Sequence, residues 1–339
     1  AEMSVTDVAP ALTAPPDAAG AARPARAERP AYRPYGDAAR VLGTVAVVIQ
    51  HVCDMVLFDF TTPTGQWYAV NVLNAFCRWA VPVYVMLSGA LLLDPARKEP
   101  AEAFYRKRLA RLGIPIVFWS AFFMAFSVYY TKWWTPGEAW YNLLLGKPYI
   151  HLHFIFRIMG LYALTPMLRV FLSNASRRQV IQVTVIVVIL SMADSLMSGL
   201  TGAELTAFLR FFPFLVFYLL GYLLREHQLS RRGVQACWAL LAASALFLAG
   251  GTGLLLNIFG FQPFPSMGML LYDFLSPPRV VLGVCAWLLF LHYFDARWLD
   301  SKAGRFFGKY LGPATLGIYL VHPFFRDLLH VHGIHARSF

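Results

Sequence analysis

An arginine and a histidine on one apolar helix are the residues of this chain best placed to do chemistry. In DAARVLGTVAVVIQH, residues 37–51, Arg40 precedes His51 by eleven positions. At about 100° per residue, those steps return a side chain to nearly the same helix face. They also rise roughly 16 Å, about half the hydrocarbon core of a bilayer. A guanidinium at the membrane edge and an imidazole near the midplane therefore look along one stripe. Ionisable groups at such depth are costly and mark function by default. Asp37, three before Arg40, can pair with it. Asp54, three past His51, can orient the imidazole and raise its basicity, or else sit at the outer interface. The stripe also has a structural reading: an anchor pair at the helix start, and a histidine tied to a neighbouring helix.

A second group lies in YRKRLARLGIP, residues 105–115. Arg108 and Arg111 are three apart where a span enters the membrane, with Lys107 four before Arg111. Paired guanidiniums suit a phosphate-rich ligand, because each planar fork binds two oxygens. Basic residues also flank spans for reasons of topology alone. In LGIYLVHP, residues 316–323, His322 should reach the depth of His51 from the same side and face the same cavity. Two midplane histidines from different helices are less expected by accident than one. Neither helix offers carboxylate–histidine spacing for a metal, so zinc is a minor alternative and no metal is expected. HLHF, residues 151–154, places His151 and His153 at an outer helix start, where they can contact a polar substrate. Arg157 and Arg210 also fall within spans and need partners, with Asp194 a candidate.

These groups need a membrane-embedded scaffold to position them. The chain has 339 residues, 58% hydrophobic and only 14% charged, with a mean hydropathy of +0.54. Its apolar runs predict an all-α, polytopic transmembrane helical bundle of about nine to ten spans. We place them near 39–59, 70–93, 109–130, 151–172, 179–198, 204–223, 234–256, 278–294 and 311–330. The net charge of +11 collects in alternate connections, first of all 94–111. That positive-inside pattern argues against a nucleic-acid partner and puts the N-terminus in the cytoplasm. Cys53, Cys77, Cys237 and Cys285 lie in apolar runs without CxxC spacing and read as reduced buried thiols. Residues 1–35, rich in Ala, Pro and Arg, predict a disordered cytoplasmic tail ahead of a membrane domain over 36–339. The segment 257–278, with Pro263, Pro265, Pro277 and Pro278, predicts irregular backbone lining a wet cavity.

With these residues assembled, the chain resembles the acyltransferase-3 family of integral membrane acyltransferases, most closely bacterial surface-polysaccharide O-acetyltransferases. The resemblance runs from residue 37 almost to the end. It rests on DAARVLGTVAVVIQH, on VPVYVMLSGALLL (residues 81–93) with its Ser88-Gly89 pair, and on RLAR (108–111). HLHFIFRIMGLYALTPMLR and LGPATLGIYLVHP complete it. It implies transfer of an acyl group, commonly acetyl, from cytoplasmic acyl-CoA to a glycan or glycolipid in a bacterial cytoplasmic membrane. It implies that Arg40 and His51 are catalytic, with His322 assisting, and that Arg108 and Arg111, with Lys107, act near CoA. His151, His153 and Tyr319 are then expected at the acceptor, and Asp37 and Asp54 as orienting groups. His153 stands where the family often has Trp, and Arg157 where it is usually apolar. Family members usually carry a tenth span after the His-Pro phrase. Here the chain is expected to lack it, unless the segment 257–278 supplies one. The alternative function is a transporter or exporter of a polar solute. Membrane lipids are expected partners, and the sequence says nothing of oligomeric state.

Overall fold

The computed structural model describes residues 35–57, 64–201, 211–260 and 267–333. Among them every regular element is helical. The longer helices are α1 (Tyr35–Leu57), α2 (Gly65–Leu92), α3 (Ala101–Tyr130), α4 (Leu152–Asn174), α5 (Arg177–Thr201) and α6 (Phe212–Leu224). Then come α7 (Arg231–Phe259), α8 (Pro277–Tyr293) and α9 (Gly312–Val331). Six stretches are long and apolar enough to cross a membrane: α1, α2, α3, α4, α7, and α8 with its lead-in from Met269. The chain is therefore a multi-pass membrane protein. Each of the nine expected spans falls on one of the nine longer helices, of which α5, α6 and α9 are not among those six. The start of the sixth, with Arg210, lies outside the described residues, as do residues 1–34.

Two starts differ from expectation. The basic connection 94–111 is largely helical from Ala101, because buried Phe104 anchors its first turn to the bundle. The segment 257–278 contributes no extra span among the described residues. It gives the end of α7 and a 3-10 turn, Met267–Tyr272, that leads into α8.

Prolines shape the middle of α3 and the entry of α9. A proline has no N–H, so the carbonyl four residues back loses its helical partner. Pro115 and Pro313 do this to Arg111 and Lys309. Both carbonyls fall within π-helical turns, Leu109–Gly113 and Phe307–Leu311. Such turns re-aim side chains and recur at functional sites.

The larger core joins α2, α6, α7 and α8 around Met86, Phe217, Tyr218 and Trp287. Its closest helix contact is made through glycines. A Cβ on Gly89 would lie 1.9 Å from the Tyr218 carbonyl oxygen, and one on Gly221 would lie 2.0 Å from the Met86 carbonyl oxygen. Small residues let backbones approach in membranes, where dispersion rather than water drives helix association. A second cluster joins α1, α3, α4 and α9 around Val47, Phe123, Ile155 and Tyr319. The reactive side chains gather on this second cluster, and the first holds it in place.

We predict that Gly89→Ala destabilises the protein by at least about 1–3 kcal/mol, the cost of forcing two backbones apart. Gly250 faces open space on α7. There, the same change should be neutral or stabilise by up to about 1 kcal/mol, the gain in helix propensity. Thermal unfolding of both variants in detergent checks the contrast.

Candidate active site

Two cavities lie at successive levels along α1. The first, about 460 Å³, is lined by Arg40, Thr44, Tyr84, Ser88, Arg97, Arg108, Arg111 and Tyr162 among others. The second, about 550 Å³, is lined by His51, Asp54, Arg78, His151, His153, Arg157 and Arg279 among others. Both volumes suit small-molecule sites. Tyr84, Phe154 and Tyr319 line both cavities. The wall between them is therefore one side chain thick.

The arginine cavity is built for an anion. Four guanidiniums line it, and no carboxylate does among the described residues. Arg40 is held by Asp37 at 2.8 Å. Arg108 lies over the Phe104 ring at 4.9 Å, and its buried Nε has no hydrogen-bond partner among the described residues. Arg169 covers the same ring at 4.9 Å, and its Nε donates to the Leu92 carbonyl at 2.7 Å. At the rim, burial alone would raise the Glu99 carboxyl. The hydrogen bond and charge of Lys107, with the charges of Arg108 and Arg169, instead hold it below the usual carboxylate range. Ser88, beside the close-packed Gly89, lines this cavity, so the Ser-Gly pair divides lining from packing.

The septum is pinned. The Tyr84 hydroxyl donates to the Arg40 carbonyl at 2.7 Å and shares a 2.6 Å bond with the Thr44 hydroxyl. The Tyr319 hydroxyl donates to the His151 carbonyl. These bonds fix ring positions that aromatic packing alone would leave freer.

His51 lies on the wall of the second cavity; His322, expected to face the same cavity, does not line it but packs behind His51, their rings 5.2 Å apart. His151 lies 5.6 Å from His322. The His-Pro pair has a physical logic. Pro323 cannot donate to the Tyr319 carbonyl, and His322 Nδ1 lies 2.9 Å from that oxygen. A carbonyl only accepts, so Nδ1 carries the proton and Nε2 keeps its lone pair. His322 Nε2 and His51 Nδ1 are both buried without hydrogen-bond partners among the described residues. Below them, Arg326 bonds to Asp327 at 2.6 Å through Nε and reaches the His51 carbonyl at 3.4 Å. Buried Asp327 also accepts from the Tyr149 hydroxyl. The arrangement can bind an anion on one side of the septum and take a proton on the other.

Several residues sit differently from their sequence-based expectation. Arg40 and His51 share a helix stripe but face different cavities, because their rise along α1 exceeds the reach of an arginine side chain. Asp54 lines the cavity of His51, yet its Oδ1 accepts from Arg78 at 3.1 Å and Asn74 at 2.9 Å. Its bonds balance an in-span arginine and do not align the imidazole. Lys107 lines neither cavity; its ammonium is tied to Glu99 at 2.7 Å and is largely exposed. Tyr319 spends its hydroxyl on the His151 backbone and presents only its ring. His151 and His153 both line the second cavity. The four cysteines are free and buried. Among the described residues no group of His, Cys, Asp or Glu is arranged to hold a metal.

Sequence reasoning missed Arg326, Asp327 and Arg78 as site residues. Each is an ionisable group inside an apolar helix, and the in-span charge rule finds them. It also missed Tyr84 and Phe154. With 28 Phe and 16 Tyr in the chain, nothing local marks the pair that forms the septum.

A family model described as an acyltransferase domain, of acyltransferase type 3, matches residues 33–336. No curated protein and no solved structure matches the chain. The matched region contains every helix and both cavities described above, and the chain belongs to the acyltransferase-3 family of membrane acyltransferases.

Proposed function

We propose that the protein transfers an acyl group, acetyl in the simplest case, from cytoplasmic acyl-CoA to a glycan hydroxyl. The acceptor is a surface or exported glycan, or its lipid-linked precursor, at a bacterial cytoplasmic membrane. The observation that carries this reading is the pair of cavities sharing one aromatic septum. CoA is too polar to cross a bilayer, but only its thioester end must reach the acceptor. Arg97, Arg108 and Arg111 hold the phosphates, and the pantetheine arm extends past Ser88 to the septum. This end faces the cytoplasm, in keeping with the basic connections around it. The family match favours this chemistry over the export of a polar solute.

At the other end the acceptor hydroxyl meets His51, which takes its proton as the hydroxyl oxygen attacks the thioester carbonyl. A C–O bond forms, and the tetrahedral intermediate collapses with cleavage of the C–S bond. The thiolate leaves and recovers the proton from His51. An acyl-imidazole on His51 is the other route. We favour the direct one, because His51 lines the cavity beyond the septum and so meets the hydroxyl first. His322 acts as a positioning residue behind it, and Asp37 aligns Arg40 on the donor side.

Three measurements test this reading. His51→Ala should lower transfer from acetyl-CoA about 10²- to 10⁴-fold, the usual contribution of a general base, while CoA affinity stays unchanged. Arg108→Ala and Arg111→Ala should each raise the CoA dissociation constant about ten- to a hundred-fold, since a charge-assisted bond is worth roughly 1.5–3 kcal/mol. Lys107→Ala should not. Calorimetry in detergent that finds all three alike would remove the phosphate role. Pro323→Ala restores a backbone donor for the Tyr319 carbonyl and so competes with His322 Nδ1. It should cost transfer about five- to tenfold, roughly one hydrogen bond, with no loss of thermal stability.

A further inference from the structure

A further anion position lies beside the arginine cavity, one residue behind its wall. Leu92 lines that cavity, and its carbonyl accepts from Arg169 Nε at 2.7 Å. The rest of the Arg169 guanidinium is unengaged. Its side chain is 8% exposed, and Nη1 and Nη2 are both buried without a hydrogen-bond partner among the described residues. Buried polar groups are ordinarily satisfied, and each exception calls for an explanation.

Arg108 shares this setting. Its guanidinium lies 4.9 Å from the centre of the Phe104 ring, the same distance as that of Arg169. Its Nε is also buried without a hydrogen-bond partner among the described residues. Phe104 itself is fully buried. Three donor nitrogens therefore lack an acceptor around one ring. Glu99 is the one acid among the described residues that pairs with this group, and it is a poor match. Its Oε2 lies 3.8 Å from Arg169 Nη2, beyond hydrogen-bond length. Its Oε1 accepts from Lys107 at 2.7 Å. Two guanidiniums over one buried ring repel each other, more strongly as the local dielectric falls. Their planar forks bind best to paired oxygens. A phosphomonoester offers such oxygens and a charge of about −1.5 to −2 at pH 7.

We infer that Arg169 and the Nε edge of Arg108 form a phosphomonoester subsite that takes the 3′-phosphate of the donor CoA. The inference rests on the reading of the arginine cavity as the donor site. Arg108 links the two, because it lines the cavity and shares the Phe104 ring with Arg169. Arg97 and Arg111 then hold the pyrophosphate, from which the pantetheine arm runs on to the septum. Glu99 partners Arg169 in the free protein and yields it to the phosphate. It keeps Lys107, whose ammonium is 63% exposed and takes no part in donor binding. The subsite selects free acyl-CoA over the same arm without a 3′-phosphate, such as phosphopantetheine carried on a protein.

The test compares CoA with dephospho-CoA, which lacks only the 3′-phosphate, by calorimetry on the intact protein in detergent. We expect CoA to bind about ten- to a hundred-fold more tightly. Arg169→Gln should remove most of that ratio by weakening CoA, and leave the affinity for dephospho-CoA where it was. Glu99→Gln should tighten CoA about two- to fivefold, the worth of the ion pair that the phosphate displaces. It should not change dephospho-CoA. If Arg169→Gln does not fold, the ratio in the unaltered protein and its widening in Glu99→Gln decide the matter. Equal affinities for CoA and dephospho-CoA, or a ratio that survives Arg169→Gln, overturn the inference and leave the donor reading standing. Failure of both ligands to bind removes the donor reading, and the inference with it.

Discussion

A bilayer core has no water to solvate a charge, so every ionisable side chain placed within it must find a partner or face a wet cavity. Most of this molecule's polar architecture follows from that constraint. Asp54 exists in its bundle with Arg78, and Asp327 with Arg326. Other in-span cations line space between the helices. The two cavities are those spaces, and the aromatic side chains of Tyr84, Phe154 and Tyr319 fill the level between them.

The same constraint governs the backbone. Each proline that enters a helix strands a carbonyl, and in lipid that carbonyl must be satisfied locally. Pro115 and Pro313 are absorbed by the π-helical turns just before them. Pro323 is absorbed by a side chain, the imidazole of His322. A backbone defect is thereby turned into a fixed tautomer beside His51. The larger core supplies rigidity through the Gly89–Gly221 contact, which leaves the second cluster free to carry cavities.

Much of this was legible in the sequence. Apolar runs marked the helices because hydrophobic thickness sets their length. His51 stood out by its depth, Arg108 and Arg111 by their paired forks at a span entry, and His151 and His153 by their place at an outer helix start; each lines a cavity. Spacing along one helix was less informative. Arg40 and His51 share a stripe, but a stripe runs past more than one cavity, and only the packing of α2, α4 and α9 divides it. Asp54 was assigned to the nearest histidine in sequence, whereas Arg78 reaches it from α2. Lys107 matched a basic motif, yet Glu99, eight residues earlier, holds it. Long-range partners of this kind have no local signature.

The central claim is that the two cavities open to opposite faces and that CoA occupies only the arginine side. Cysteines introduced at Arg97 and at Lys147, one on each cavity, can be titrated with a membrane-impermeant maleimide in vesicles of known sidedness. The account predicts that each cysteine reacts from one face only, that the two faces differ, and that CoA slows labelling at position 97 while leaving position 147 unchanged. Labelling of both from the same face, or protection of position 147 by CoA, would contradict it.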